Sequence, residues 1–251
     1  MNGIPLKRLW FFDFDGTLSS IVPERSEAFI HPACKKLLEE LVARPLERVA
    51  VLSSRLLDDL IPRVGVPGVF LGGGSGVEWV VQGKERWTID EKFEKRLNTA
   101  RAQLLPRIME LTLIPGIEIE DKKWSVAIHT RKSADDSRMQ IGAIMETWRA
   151  SKTARIFKGP EVIELPFLPE IDKAFGVRAL CTLLGFDPSR GKLVYAGDDE
   201  NDAIAMQWVL RHGGIAFTVD HVPLVPGAIV VEGHEALAGE IRRLLGSRCG
   251  K

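Results

Sequence analysis

Residues Leu9–Leu18, which read LWFFDFDGTL, decide how the rest of this chain can fold. The stretch begins as a continuous apolar run, as expected of a strand that is buried on both faces of a sheet. Asp13 and Asp15 follow this run, and Gly16 then allows the chain to turn sharply. Because ligand sites of open α/β sheets form at the carboxyl ends of the strands, the stretch predicts a parallel sheet with a site at its edge.

Outward from this stretch, both ends of the chain alternate buried strands with amphipathic helices, which implies βαβ units. Strands are predicted at Val49–Leu52, Val69–Leu71, Leu193–Ala196, Ile215–Val219 and Ile229–Val231, and helices at Pro32–Ala43, Leu56–Val64, Ala174–Leu184, Asp202–Leu210 and Glu235–Leu245.

The middle of the chain has a different order, αββαββ, which suits an antiparallel sheet covered on one face by two helices. Its elements are predicted at Glu91–Leu111, Gly116–Glu120, Ser125–Arg131, Ala134–Ala150, Ala154–Phe157 and Val162–Leu165, the last two strands turning at Gly159-Pro160. We therefore predict an α/β protein in which a Rossmann-like parallel-sheet core, residues 1–86 and 169–251, carries an inserted cap at residues 87–168.

The composition limits the classes of partner. Lys plus Arg and Asp plus Glu number 34 each, so no basic excess is available for nucleic acid or an anionic membrane. No stretch approaches the roughly 20 apolar residues of a membrane helix. Cys34, Cys181 and Cys249 are far apart, as expected of reduced thiols in a cytoplasmic protein. We expect a small-molecule partner and take a monomer as the working expectation.

Two groups of residues at predicted strand ends suit phosphoryl transfer. Asp13 can attack phosphorus, and Asp15 can protonate the leaving alkoxide and then deprotonate a water. Ser53, Ser54 and Arg55 follow the second strand, where a hydroxyl and backbone N–H groups can hold the phosphate. Taken alone, Asp15-Gly16 could be an ordinary turn, and Ser53 a simple helix cap.

Two further groups complete the pattern. Lys173 opens a predicted helix, where its ammonium can neutralise charge on the aspartate and the phosphoryl group. Residues 197–202, GDDEND, place Asp198 and Asp202 after a buried strand, and Mg²⁺ prefers carboxylate ligands. The alternatives are a solvated lysine and an acidic helix start. Together the four groups predict a Mg²⁺-dependent phosphomonoesterase.

In this order, the four groups resemble the motifs of the haloacid dehalogenase-like phosphatases. The resemblance implies that Asp13, the backbone carbonyl of Asp15, and Asp198 hold the metal, with Asp202 in support.

Over nearly its whole length the chain looks most like the trehalose-6-phosphate phosphatases. The matching segments are DFDGTLSSIV at 13–22, VAVLSSR at 49–55 and EIEDKKWSVAIHTR at 118–131. The resemblance implies hydrolysis of trehalose 6-phosphate, with the substrate bound by Glu120, Lys122, Glu164 and Arg55. The chain departs from the family pattern at Ser75, where a histidine is usual, and at Ser54, where a glycine is usual.

The residues leave alternatives open. Glu118, Glu120 and Lys122 alternate with aliphatic residues, which puts the charges on one sheet face, but a merely solvated face has the same pattern. The same chemistry also suits a sucrose phosphate or a glycosyl-phosphoglycerate. A phosphotransferase or mutase and a non-catalytic sugar-phosphate sensor are the more distant alternatives.

Overall fold

A computed structural model describes residues 6–22, 24–81, 85–88, 91–159 and 161–246, so Cys249 and the predicted turn residue Pro160 lie outside it. The chain divides into two compact units, Met1–Trp87 with Lys173–Lys251, and Thr88–Asp172. We call them the first and the second unit.

The described strands, in chain order, are β1 (Arg8–Phe12), β2 (Glu47–Leu52), β3 (Phe70–Gly73), β4 (Glu78–Val81), β5 (Glu85–Thr88), β6 (Glu118–Asp121), β7 (Ser125–His129), β8 (Phe157–Gly159), β9 (Val162–Pro166), β10 (Lys192–Gly197), β11 (Ile215–Val219) and β12 (Ile229–Val231). The described α-helices are α1 (Pro32–Val42), α2 (Leu57–Val64), α3 (Glu91–Met109), α4 (Asp135–Ala150), α5 (Lys173–Leu184), α6 (Glu200–Arg211) and α7 (His234–Gly246).

The first unit is built on one eight-stranded sheet in the order β12-β11-β10-β1-β2-β3-β4-β5. The pairs from β12 to β3 are all parallel, whereas β3 and β4 are antiparallel. The predicted α/β class with a mainly parallel sheet is therefore confirmed.

Strand β1 explains why the sheet has a helical layer on each face. Trp10 and Phe12 belong to one hydrophobic core and Leu9 and Phe11 to another, and all four are fully buried. Side chains of α1, α2 and α7 complete the first core, and side chains of α5 and α6 complete the second. The apolar run of β1 is thus divided between two cores, as the alternation of side chains along a strand requires.

The sequence prediction ends the third strand at Leu71, before Gly72 and Gly73, and it lacks β4 and β5. Both glycines lie inside β3. A Cβ on Gly72 would lie 2.6 Å from the ring of Trp79 on β4, so the indole occupies the space that the glycine leaves. The chain turns instead at Gly74–Gly76, where Ser75 has a φ of 57°, and returns as β4.

The second unit contains a four-stranded antiparallel sheet in the order β6-β7-β9-β8. Its two helices bury apolar residues, Leu97 and Ile108 on α3 and Ile141 and Met145 on α4. The last hairpin begins later than predicted, at Phe157 instead of Ala154.

The strand order places the candidate site. Strand β1 lies between β10 and β2. From β1 the chain proceeds to β2 and β3 on one side of the sheet, and from β10 it proceeds to β11 and β12 on the other side. The carboxyl ends of these three strands meet at that switch point, where open α/β sheets form their ligand crevice. Among the residues that the structure describes, no helix is long and apolar enough to cross a membrane.

Candidate active site

Asp13 continues β1 into the crevice. Its backbone N–H donates to the carbonyl of Ala196 at 2.9 Å, which ties it to β10. Its side chain is buried, and one carboxylate oxygen lies 2.6 Å from Nζ of Lys173. Burial raises the pKa of Asp13 well above its usual range, although the ammonium of Lys173 opposes this effect. Asp13 is thus a buried carboxylate in contact with the ammonium of Lys173, and its role as the nucleophile stays a prediction.

Lys173 joins Asp13 to a buried polar network. Its Nζ donates to Oδ1 of Asp202 at 2.6 Å, and the hydroxyl of Tyr195 donates to the same oxygen at 2.6 Å. The backbone N–H of Lys173 donates to Oδ1 of Asn201 at 3.1 Å. Sequence reasoning missed Tyr195 and Asn201. The available signal was Tyr195, the one tyrosine of the chain, on a buried strand where its hydroxyl needs a partner.

Asp202 uses its second oxygen to organise the turn that precedes it. The backbone N–H groups of Asp198 and Asp199 donate to Oδ2 at 3.0 and 3.1 Å. In return, the N–H of Asp202 donates to Oδ1 of Asp199, which completes a capping box at the start of α6. With each oxygen accepting two hydrogen bonds, the carboxylate suits support of a metal site better than direct ligation.

Asp198 packs against the turn that follows β1. The hydroxyl of Thr17 donates to its Oδ1 at 2.8 Å. Gly16 has a φ of 86°, and a Cβ there would lie only 2.0 Å from Oδ2 of Asp198. Glycine is therefore needed both for the backbone conformation and for the space that the carboxylate fills. Burial raises the pKa of Asp198 to about 7.

The donor set suits a small divalent cation. Asp13, Asp198 and Asp202 each offer an oxygen, and these oxygens lie within 4.8 Å of one another. Several carboxylates that share a buried site repel one another unless a cation compensates them. Mg²⁺ prefers oxygen ligands and binds through one or two carboxylates, water and phosphate.

Ser53 directly follows β2, at the carboxyl end of that strand. It is buried, its N–H donates to the carbonyl of Gly72 at 2.9 Å, and its Oγ accepts from the N–H of Arg55 at 3.1 Å. The hydroxyl hydrogen can therefore point to a ligand. Helix α2 begins at Leu57, so the interpretation of Ser53 as a helix cap is wrong. Ser54 is half-buried beside it.

Arg55, which the resemblance implied as a substrate-binding residue, contacts Asp15. Its Nε and Nη2 donate to the two carboxylate oxygens of Asp15, each at 2.7 Å. Its Nη1 donates to Asp59 at 2.6 Å, and the guanidinium side chain is 1 % exposed. In this structure, then, both carboxylate oxygens of Asp15 accept hydrogen bonds from Arg55, and all three guanidinium nitrogens of Arg55 donate to carboxylates.

Two of the predicted sugar-binding residues of the second unit, Glu120 and Glu164, lie on its antiparallel sheet, and the third, Lys122, directly follows β6. Glu120 and Glu164 are both register partners of Ala127 and therefore share a face. Glu164 accepts from Nζ of Lys122 at 3.0 Å and from Oγ of Ser125 at 2.7 Å. The sequence suggested a freely exposed charged face, but the Lys122 side chain is only 3 % exposed.

Known proteins with similar sequences indicate the family to which this chain belongs. The family model described as trehalose-phosphatase matches residues 11–228. A trehalose-phosphate phosphatase of Mycobacterium bovis is 35% identical over 209 residues, which are 81% of this chain and 51% of the relative. One of Mycobacterium leprae is 37% identical over 223 residues, 84% of this chain and 50% of the relative. The chain spans about half the length of these curated relatives.

Solved structures with low sequence identity share the fold. The C-terminal domain of C. albicans trehalose-6-phosphate phosphatase is 18% identical with a TM-score of 0.72, covering 96% of this chain and 93% of that one. A haloacid dehalogenase-like hydrolase from Bacteroides thetaiotaomicron is 16% identical with a TM-score of 0.66, covering 95% and 99%. Since the family model matches most of the sequence, this chain belongs to the trehalose-phosphatase family and has a haloacid dehalogenase-like fold.

Proposed function

We propose that this chain hydrolyses trehalose 6-phosphate to trehalose and phosphate through an aspartyl-phosphate at Asp13. The observation that carries the proposal is the buried contact of Asp13 with Lys173, beside Asp198, in a chain of the trehalose-phosphatase family. Other sugar phosphates remain the competing substrates.

The chemistry divides into two displacements. A carboxylate oxygen of Asp13 attacks phosphorus, the bond to the sugar oxygen breaks, and Asp15 gives its proton to that oxygen. A water then attacks the phospho-aspartate, and Asp15 takes the proton back. Lys173 stabilises the negative charge in both steps, and the Ser53 hydroxyl donates to a phosphoryl oxygen.

We assign Mg²⁺ to this site, held by Asp13, Asp198 and the backbone carbonyl of Asp15, with Asp202 in support. When bound, Mg²⁺ would neutralise charge on the phosphoryl oxygens.

We assign sugar recognition to Glu120, Lys122 and Glu164 of the second unit, which acts as the cap. In this structure their side chains pair with one another and with neighbours on the sheet, including His129, whose Nε2 lies 3.0 Å from Glu120. Carboxylates and an ammonium are suitable partners for sugar hydroxyls. Their replacement is expected to raise the KM for the sugar phosphate more than it lowers kcat.

We expect a cytoplasmic protein that acts on a small molecule as a monomer. The free, buried thiols of Cys34 and Cys181 support a reducing compartment.

Phosphate release from trehalose 6-phosphate, measured beside a panel of other sugar phosphates with and without Mg²⁺, tests the proposal. The expected result is the highest kcat/KM for trehalose 6-phosphate, with loss of turnover in the Asp13→Asn variant. Asp187→Asn, which changes an exposed aspartate of the same unit, is the matched control and should keep full activity. Full activity of Asp13→Asn would contradict the mechanism. A higher kcat/KM for another sugar phosphate would contradict the proposed substrate.

A further inference from the structure

A line of alternating charges runs from Asp15 to the surface of the first unit. Arg55 joins Asp15 to Asp59, and Arg63 then contacts Asp59 from the other side, with its Nη2 and Nε at 2.6 and 3.0 Å from Oδ1. We call these four residues the Asp15–Arg63 array. No step of the proposed reaction uses Arg55, Asp59 or Arg63.

The array anchors Arg55 firmly. Its guanidinium lies over the ring of Phe14, 5.5 Å from the centroid, and Nη2 also donates to the carbonyl of Arg25 at 3.1 Å. Nη1 of Arg63, the outer arginine, is held in turn by the carbonyls of Ser26 and Ala28 at 2.7 and 3.1 Å. Because Arg55 has this many contacts and its side chain is only 1 % exposed, its guanidinium has a fixed position and can orient a neighbouring carboxylate.

The neighbour that needs holding is Asp15. Its side chain is 36% exposed and stands on a turn, so without a partner it could sample several rotamers. The fork of Arg55 occupies both oxygens and selects one orientation, which two parallel hydrogen bonds from a planar group can do and a lysine ammonium cannot.

One of the two hydrogen bonds between Arg55 and Asp15 must break when Asp15 acts on the leaving group. The Asp15 oxygen that is released can then carry the proton that is transferred to the leaving-group oxygen. Asp59 makes this opening inexpensive, because its carboxylate continues to compensate the buried guanidinium. One bond of the fork can then remain and keep Asp15 aimed.

We propose that Arg55 is a positioning residue that aims Asp15 at the leaving-group oxygen, with Asp59 holding Arg55 in place. The inference rests on the acid/base role of Asp15 in the proposed function. It gives Arg55 a role other than the substrate contact that the family resemblance implied.

Substituted phenyl phosphates test this proposal without any sugar. A leaving group as acidic as p-nitrophenol departs without a proton, whereas phenol, and an alkoxide still more, depend on a general acid. General acid–base catalysis contributes typically ~10²–10⁴-fold. For Arg55→Lys, we expect kcat/KM to fall by roughly tenfold or more for phenyl phosphate and by less than about threefold for p-nitrophenyl phosphate, so the dependence on leaving-group pKa steepens.

Two further variants complete the design. Arg8→Lys alters a different, largely buried pair of an arginine with a carboxylate, Arg8 with Glu47, at the opposite end of β1, and should leave the leaving-group dependence unchanged. Asp59→Asn removes only the charge of the outer anchor and should steepen the dependence relative to the wild type, though less than Arg55→Lys does. Comparison with the wild type preserves the test if the lysine variant does not fold, and an unchanged dependence in Asp59→Asn would then overturn the proposal.

An equal loss for every phenyl phosphate would overturn the proposal, since it would indicate damage to the phosphate site or the fold. An increase in the KM for trehalose 6-phosphate with an unchanged phenyl series would overturn it in favour of a sugar contact. Failure of the proposed function is a separate outcome, seen when the wild type hydrolyses the phenyl series but releases no phosphate from trehalose 6-phosphate.

Discussion

Replacement of Gly16 by alanine is the most direct test of how the turn after β1 builds the site. The new Cβ would lie 2.0 Å from Oδ2 of Asp198. An ordinary carbon–oxygen contact is about 3.4 Å, so this oxygen would have to retreat by about 1.4 Å. A misplacement of about 1 Å can cost ~10²-fold in rate, so we expect Gly16→Ala to lose at least about 100-fold in kcat.

The backbone adds a second, smaller effect. A residue with a Cβ in a left-handed conformation costs roughly 1–2 kcal/mol of stability. Gly233→Ala is the matched control, because Gly233 has a φ of 89° in the same unit and its Cβ would meet nothing within 4 Å. Gly233→Ala should lose a similar amount of stability and should keep the activity of the wild type.

The assay measures phosphate release against Mg²⁺ concentration, with urea unfolding of each variant in parallel. Because Asp198 is displaced in Gly16→Ala, the Mg²⁺ concentration for half-maximal activity should rise as well. The reasoning is refuted if Gly16→Ala retains wild-type kcat, or loses no more activity than Gly233→Ala.

Three further predictions concern the buried charges. Tyr195→Phe removes one hydrogen bond to the charged Asp202, worth roughly 1.5–3 kcal/mol, so urea unfolding should show a loss of that order, and an unchanged unfolding midpoint would contradict the contact. Lys173→Met leaves Asp13 and Asp202 uncompensated and should cost roughly 3–5 kcal/mol at pH 7.5 but less at pH 5, where the carboxylates can protonate; equal losses at the two pH values would argue against the pairing. Without divalent cations, the raised pKa of Asp198, about 7, means that the folded state binds more protons than the unfolded state above pH 4, so stability should fall as the pH rises towards 7. Asp198→Asn should reduce this slope in a melting-temperature series, and a slope unaltered by the substitution would assign it to other groups.

Sequence patterns predicted the architecture because the spacing at which apolar side chains recur is enough to identify a strand or a helix. The apolar run of β1, for example, is a strand buried on both faces, and β11 and β12 begin and end at the predicted residues. The position of Asp13, Ser53 and Asp198 followed as well, since strand ends of a parallel sheet share one edge.

Side-chain partners lay beyond the sequence. Arg55 and Asp15 are separated by 40 positions, and no local pattern pairs the two, so Arg55 was predicted only as a substrate-binding residue. The same holds for Tyr195, because its hydroxyl donates to Asp202, which lies in the first turn of α6 and not on the same strand. Likewise, the sequence prediction ended β3 before Gly72, because a glycine usually weakens a strand, and only the packed sheet shows that the ring of Trp79 fills the space over this glycine.

The amino-acid sequence by itself determined the sheet, the order of its motifs and the edge where they meet, because those depend on alternation and on strand direction. Only the tertiary structure decided the partner of each carboxylate. Asp15 accepts two hydrogen bonds from Arg55, Asp202 accepts from Lys173 and Tyr195, and Asp198 packs against Gly16. Those choices depend on distances between side chains from separate elements, and these are set when the layers pack.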